Sequence, residues 1–484
     1  MTPLLLVSVL ISWFTGLALL RVVWPKNVPL FPYRFMLAPL ALGVGAGLSA
    51  TALFLWLVAF GPNRRGFMGA ELALAVALGV LALRPARREM GEPYVNVSRA
   101  GLLWLIPVAL ALGVGCAVVA FVANSVALPH GGWDAWMDWN LRARLIFRGD
   151  GHWQDAFSEL IPWSHPDYPW VVPASVVRAW TWAGGEHLSA SALIAGLFTF
   201  GTVALAGTSL AVLRSSAQGA LGALMLLGTP FFVLHGASQF ADVPVGFFFL
   251  SSVVLLAIHQ RYAERTHRFA ALAGLSAGMA AWTKNEGLLF FTCLTAAQIA
   301  TAIIARAERK RLARQLSAFL AGAVLPLLLV GYFKARFAPP NDLLSVDRED
   351  LRMWLTDPRR YAIVLRPFAS HLLRFGDNGL ISAPWLLVTY SLCVGLRATG
   401  RGWSWGFTIA LALALMLAGH VLIFVGTTPD ILPLLNTSVD RVLLQLWPSF
   451  LVLYFMAVRT PEELLAGPLP EAPVNRDVAK VERL

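Results

Sequence analysis

"GLLWLIPVALALGVGCAVVAFVANSVALPHGGWDAWMDWNLRARLIFRGD", residues 101–150, changes character once, near residue 128. Residues 101–127 hold no charged side chain. At 1.5 Å per residue such a run makes a helix of about 40 Å, more than the roughly 30 Å of a bilayer's hydrocarbon core. The run then gives way to Asp134, Asp138, Asp150, three tryptophans and three arginines. A helix that greasy needs lipid around it, and the chemistry that follows stands at its mouth.

The same reading extends along the chain. A water-soluble domain carries about 25% charged residues. This chain of 484 residues carries 13% and is 57% hydrophobic. Run lengths predict an all-α polytopic membrane protein of about thirteen spans, at 3–22, 36–60, 67–83, 101–127, 189–213, 217–235, 242–259, 268–283, 286–305, 315–336, 379–396, 404–426 and 441–458. The eighth is the shortest test of the count, because losing it would invert everything downstream. The N-terminal run "MTPLLLVSVLISWFTGLALLRVV" lacks a basic leader, so it reads as a retained first span.

The net charge of +11 would suggest a nucleic-acid partner in a soluble protein. Here the cations sit mostly in short loops between spans, which makes nucleic acid the poorer reading. "RPARREMGEPYVNVSR" (84–99), "HQRYAERTHR" (259–268), "RAERKRLAR" (306–314) and "RATGR" (397–401) fall on one side of the predicted spans, with the tail 459–484. Basic loops mark the cytoplasmic side. Only "GPNRRG" (61–66) disagrees. Loop 128–188, the turns near 236–242 and 284–286, loop 337–378 and turn 427–440 then lie outside. In a bacterial inner membrane that means the periplasm. Cys116, Cys293 and Cys393 each fall within an apolar run, which predicts free, buried thiols.

Eight of the 18 tryptophans lie in 128–188. Indole favours the membrane–water boundary, so this loop is expected to lie along the surface as amphipathic helices. Some of the rings are alternatively suited to stacking on sugars. Asp134 and Asp138 share one face at a four-residue spacing, as do Arg144 and Arg148. Either the carboxylates work chemically, or the four residues form a surface salt-bridge network. "WSHPDYPWVVP" (163–173) has three prolines and presents His165, Asp167 and Tyr168 on a stiff strap.

These stretches, "WDAWMDWNLRARLIFRGD" and "HPDYPW", resemble the first outer loop of GT-C glycosyltransferases, the polyprenyl-phosphate-sugar-dependent enzymes such as protein O-mannosyltransferases and aminoarabinose lipid A transferases. "GASQFADVPVGFFFLSSVVLLA" (236–257) is similar to the family's "ADVP" stretch, and "GLSAGMAAWTKNEGLLFF" (274–291) to its small-residue span ending in "TK". The resemblance covers roughly 100–310. It implies a GT-C-like catalytic module over 101–336, added spans in 1–100, an outer loop 337–378, C-terminal spans 379–458 and a cytoplasmic tail. The family often has two adjacent acidic residues where this chain has Asp134 and Ala135, so Asp138 competes with Asp134 for the catalytic role.

The resemblance also implies chemistry. Such enzymes move a sugar from a lipid-linked phosphate to an acceptor hydroxyl, which needs a base for the acceptor proton and positive charge for the departing phosphate. Asp134 is expected as base. Lys284, Arg374 and Arg441, with Arg144 behind them, are candidate phosphate binders, with Lys284 alternatively paired to Glu286 and Arg441 alternatively a membrane-end anchor. Asp242 binds a sugar hydroxyl or caps the following helix. His165, Asp167 and Tyr168 join the substrate-binding set. No cofactor or metal is expected; the partners are the polyprenyl-phosphate sugar, membrane lipids and a glycan, lipid or protein acceptor. Three rival readings are a transporter or flippase, which predicts internal repeats and mid-span charges, a polysaccharide ligase or polymerase, and a scaffold subunit with a decayed site.

Overall fold

The computed structural model describes residues 3–465 except 27, 29, 31–32, 84–100, 307, 342–345, 377–380, 398–403 and 429. The chain is an all-α bundle of α1 (Pro3–Val23), α2 (Arg34–Phe60), α3 (Arg64–Ala82), α4 (Leu105–Ala127), α5 (Asn140–Arg148), α6 (Val171–Ala183) and α7 (Leu188–Leu213). There follow α8 (Ser216–Leu227), α9 (Pro230–Ala237), α10 (Asp242–Tyr262), α11 (Arg268–Thr283), α12 (Glu286–Ile304) and α13 (Arg309–Arg336). The rest comprises α14 (Arg348–Thr356), α15 (Pro358–Arg374), α16 (Ala383–Val394), α17 (Ser404–Thr427), α18 (Leu432–Ala457) and α19 (Pro461–Leu465). The one β-bridge among the described residues joins Leu396 to Val458.

Each of the thirteen expected runs coincides with helix, but they are not equal. Among the described residues ten helices are long and apolar enough to cross a membrane, and α8 with α9 makes an eleventh bent by 64°. Pro230 at the start of α9 explains the break, since it supplies no N–H to the preceding turn. α11 has 16 residues and α16 has 12. α16 begins only at Ala383 and stops at Gly395, whose φ of +79° suits glycine. α18 begins nine residues before the expected 441, because Asp440 and Arg441 are both paired and so are tolerated within the helix.

Contacts between helix ends sort the loops into two faces. Asp242 opens α10 and Lys284 closes α11, and their side chains meet at 2.8 Å. α11 therefore runs back along α10 over its whole length. Glu286 opens α12 beside Lys284, and Lys334, near the end of α13, reaches Asp167 at 3.0 Å. Loop 128–188 and the turns 236–242 and 284–286 share this first face. At the opposite face Tyr33 meets Tyr262 (3.2 Å), Gln260 meets Ser404 (3.1 Å) and Arg214 reaches the Val458 carbonyl (3.0 Å). Basic loop 259–268 and Arg397 belong there; 84–99, 398–401 and 466–484 lie outside the described residues. The discordant Arg64 stands on the first face, stacked on Phe147 at 3.9 Å and bonded to its carbonyl at 2.6 Å.

The tryptophan-rich loop differs from its expectation. Trp133, Trp136 and Trp163 are exposed, but Trp139, Trp153, Trp170, Trp180 and Trp182 are buried. α6, expected on the membrane surface, is buried at twelve of its 13 residues. It descends into the bundle against α1 and α2, where Arg178 pairs with Glu71 of α3. The thiols also differ: Cys293 is buried, whereas Cys116 and Cys393 face outward. A sulfhydryl is apolar enough to tolerate lipid.

α11 and α13 make the closest crossing. A Cβ on Gly322 would lie 1.8 Å from the Ala271 carbonyl oxygen, and one on Gly274 the same distance from that of Phe319. Small residues let membrane helices touch backbone to backbone. Gly322→Leu is expected to cost about 1–3 kcal/mol or more and lower the unfolding midpoint in detergent. Gly331→Leu on the same helix, with open space around its Cβ, leaves that midpoint unchanged.

Candidate functional site

The site assembles on the first face around Asp242, which has no exposed surface. Lys284 Nζ donates to Oδ1 at 2.8 Å and Gln445 Nε2 to the same oxygen at 2.6 Å. Arg441 Nε donates to Oδ2 at 3.1 Å, and His235 Nε2 lies 3.1 Å from that oxygen. A buried carboxylate is stable only with partners of this kind. The shell draws in α9, α10, α18 and the α11–α12 turn.

The same cations reach further carboxylates. Arg441 meets Asp134 Oδ2 at 2.5 Å, and its guanidinium lies 5.1 Å from the Phe240 ring centroid. Lys284 also meets Glu286 Oε1 at 2.8 Å. Asp134, Asp242 and Glu286 thus share two cations. Lys284 and Arg441, expected to bind phosphate, are both engaged by carboxylates in this state.

Asp134 directly precedes a π-helical turn, Ala135–Trp139, and Asp138 lies within it. Such a wide turn keeps residues four apart on one face, and single π-turns recur at functional sites. The pair differ in environment. Asp134 is tied to Arg441. Asp138 is buried and makes no hydrogen bond or ion pair among the described residues. Burial pushes its carboxyl up to about 7, and the charge of Asp134 adds to the rise, against the pull of Arg142, Arg441 and Lys284. A carboxyl of that affinity exchanges protons near neutrality.

The proline strap is held by Arg142, which donates to the carbonyls of Ser164 (2.8 Å), His165 (2.6 Å) and Tyr168 (2.9 Å). His165, at φ 44°, stacks on Tyr168, which stacks on Trp139 with 5° between planes. Lys284 Nζ lies 5.9 Å from the Tyr168 ring. Burial and the nearby Glu286 push the Tyr168 hydroxyl above its ordinary range, so it stays protonated as a donor. Asp167 points elsewhere: Asn285 (2.8 Å), Asn341 (2.6 Å) and Lys334 (3.0 Å) all donate to Oδ2, locking the strap to α13.

The structure thus brings together Asp134, Asp138, Tyr168, Asp242, Lys284, Glu286 and Arg441, with His165 stacked at the side. Arg374 is not in this group; it is exposed at the end of α15. Arg144 and Arg148 pair with Glu186 instead of with Asp134 and Asp138. Sequence reasoning missed His235, Gln445 and Arg142. Gln445 was detectable, since it stands one helical turn after Arg441 in an apolar run; nothing local marked His235. Among the described residues no group of three or more His, Cys, Asp or Glu side chains is placed to hold a metal ion.

No protein-family model, curated protein or solved structure matches the chain. The functional reading therefore stands on the motifs and on this geometry.

The network behaves as one unit if Asp242 is its centre. Lys284→Met leaves a buried carboxylate short of charge and is expected to cost about 3–5 kcal/mol in thermal unfolding. The double variant Asp242→Asn/Lys284→Met recovers a large part of that loss. Simple addition of the two single losses would show that the residues act separately.

Proposed function

We propose that this chain is an integral membrane glycosyltransferase. It moves a sugar from a polyprenyl-phosphate donor to an acceptor hydroxyl at the face bearing loop 128–188. The observation that carries the reading is the unequal carboxylate pair on the π-turn, beside a network of paired cations. The resemblance of that loop, of "ADVP" and of the "TK" turn to GT-C enzymes supports the same class. The basic loops gathered opposite make that other face cytoplasmic, so the site looks out from a cytoplasmic membrane, in a bacterium into the periplasm.

The acceptor oxygen attacks the anomeric carbon as the bond from that carbon to the phosphate oxygen breaks. The electron pair leaves with the lipid phosphate, and the acceptor proton passes to a carboxylate. Asp138 takes that proton: its oxygens carry no cation, and its affinity lies near neutral pH. Asp134, expected from the motif as base, is held by Arg441 and orders the turn on which Asp138 sits. Tyr168, half-buried against the buried Trp139 ring, offers its hydroxyl to the sugar.

Asp242, Lys284 and Glu286 stand at helix ends, with Arg441 reaching them from the first half of α18, whereas a carrier's charges stand near mid-span; this favours an enzyme. The test uses vesicles containing the protein and a panel of radiolabelled polyprenyl-phosphate sugars, with label followed into lipid, glycan and protein fractions. Transfer is expected to rise with pH through about 7 and then level, because the base works deprotonated. Asp138→Asn is expected to lose roughly 10²–10⁴-fold in rate. Intact donor crossing sealed vesicles without transfer would instead identify a flippase.

A further inference from the structure

The cations of the central network are spent on carboxylates, so a departing lipid phosphate needs another holder. A cavity of about 370 Å³ lies between α15, α16, α17 and α18, lined by Leu387, Leu413, Leu443, Leu446, Trp447 and Phe450 among others. Its polar atoms are already satisfied. The Ser391 and Tyr454 hydroxyls lie 2.8 Å apart, Tyr454 donates to the Leu387 carbonyl at 2.6 Å, and Trp447 Nε1 donates to Thr229 at 3.2 Å. Such a wall does not call for water; it suits a hydrocarbon chain.

One end of this cavity is marked by charge. α18 begins at the first face, and Asp440 stands one turn above the lining residue Leu443, on the same side of the helix. His371 Nδ1 lies 2.6 Å from Asp440 Oδ1, and the next residue, Leu372, lines the cavity. Asp440 orients the imidazole and leaves Nε2 open. Arg374, three residues after His371, is its neighbour on the helix surface and makes no hydrogen bond or ion pair among the described residues. The lining residue Phe375 follows it directly. Asp440 adjoins Arg441, so this rim borders the carboxylate network.

We propose that the α15–α18 cavity holds the isoprene units nearest the phosphate of the polyprenyl chain and that His371 and Arg374 hold that phosphate, with Asp440 as the positioning residue for the imidazole. This rests on the reading of the chain as a polyprenyl-phosphate-sugar transferase. A lipid threaded this way leaves its phosphate at the rim and turns the sugar toward Asp134 and Asp138. Guanidinium and imidazole N–H groups both donate to phosphate oxygens, where charge grows as the sugar departs. Lys284 and Arg441 keep the carboxylates in place.

The test measures binding of decaprenyl phosphate, decaprenol and phosphatidylglycerol to the full chain in nanodiscs. The wild type is expected to prefer the phosphate over the alcohol, and over phosphatidylglycerol. His371→Gln/Arg374→Gln, both at the helix surface, is expected to weaken decaprenyl phosphate binding about 10-fold or more and leave decaprenol unchanged. Leu443→Trp, which fills the cavity, weakens both prenyl ligands. A double variant that keeps the full phosphate preference overturns this assignment while leaving the transferase reading intact. A wild type that does not distinguish decaprenyl phosphate from phosphatidylglycerol overturns both.

Discussion

Asp242 is a carboxylate with no path to water, and its burial sets the geometry of the whole first face. An isolated charge in so dry a place costs several kcal/mol, and only a complete shell of donors makes it tolerable. Lys284, Arg441, Gln445 and His235 form that shell from three other parts of the chain. Their convergence fixes where α10 begins, where α11 ends and how deep α18 stands. Arg441 then carries the constraint outward to Asp134, so the 128–188 loop is docked by the same centre that aligns the helices.

That arrangement separates tasks which a simple motif reading merges. A lysine and an arginine at a membrane site look like phosphate binders in isolation. Here each is bracketed by two carboxylates, and their charge goes into holding the acidic groups at fixed distances. Asp134 and Asp138 are separated in the same way. One oxygen of Asp134 is engaged by Arg441, whereas Asp138 is left buried with only distant cations, so a single turn of chain carries one fixed anion and one carboxyl that can exchange a proton near neutral pH. Two identical side chains acquire different chemistry from their surroundings.

Much of this was readable in advance, for reasons that can be named. Span positions follow from run length because lipid tolerates little polar interruption, and most helices end close to the expected limits, whereas α18 begins nine residues early on its paired Asp440 and Arg441. Asp134, Asp242, Lys284, Glu286 and Arg441 were visible as charges at the edges of greasy runs. The remainder depends on contacts distant in sequence. Nothing near Trp170 or Trp180 says that α6 turns into the bundle, since an indole suits an interface and a core equally. The π-turn at Ala135–Trp139 leaves no local signature. His371 and Asp440 lie 69 positions apart and meet only because α15 crosses α18. Arg142 looked like one arginine among several until the fold closed it over the strap.

The most direct measurement is a structure of the protein with a non-hydrolysable polyprenyl-phosphonate sugar bound. The account predicts a sugar ring beside Tyr168, its anomeric carbon facing the Asp134–Asp138 turn, and the phosphonate on the α15–α18 side of Arg441. Density for the sugar at the face bearing loop 259–268, or a headgroup remote from the π-turn, would contradict it.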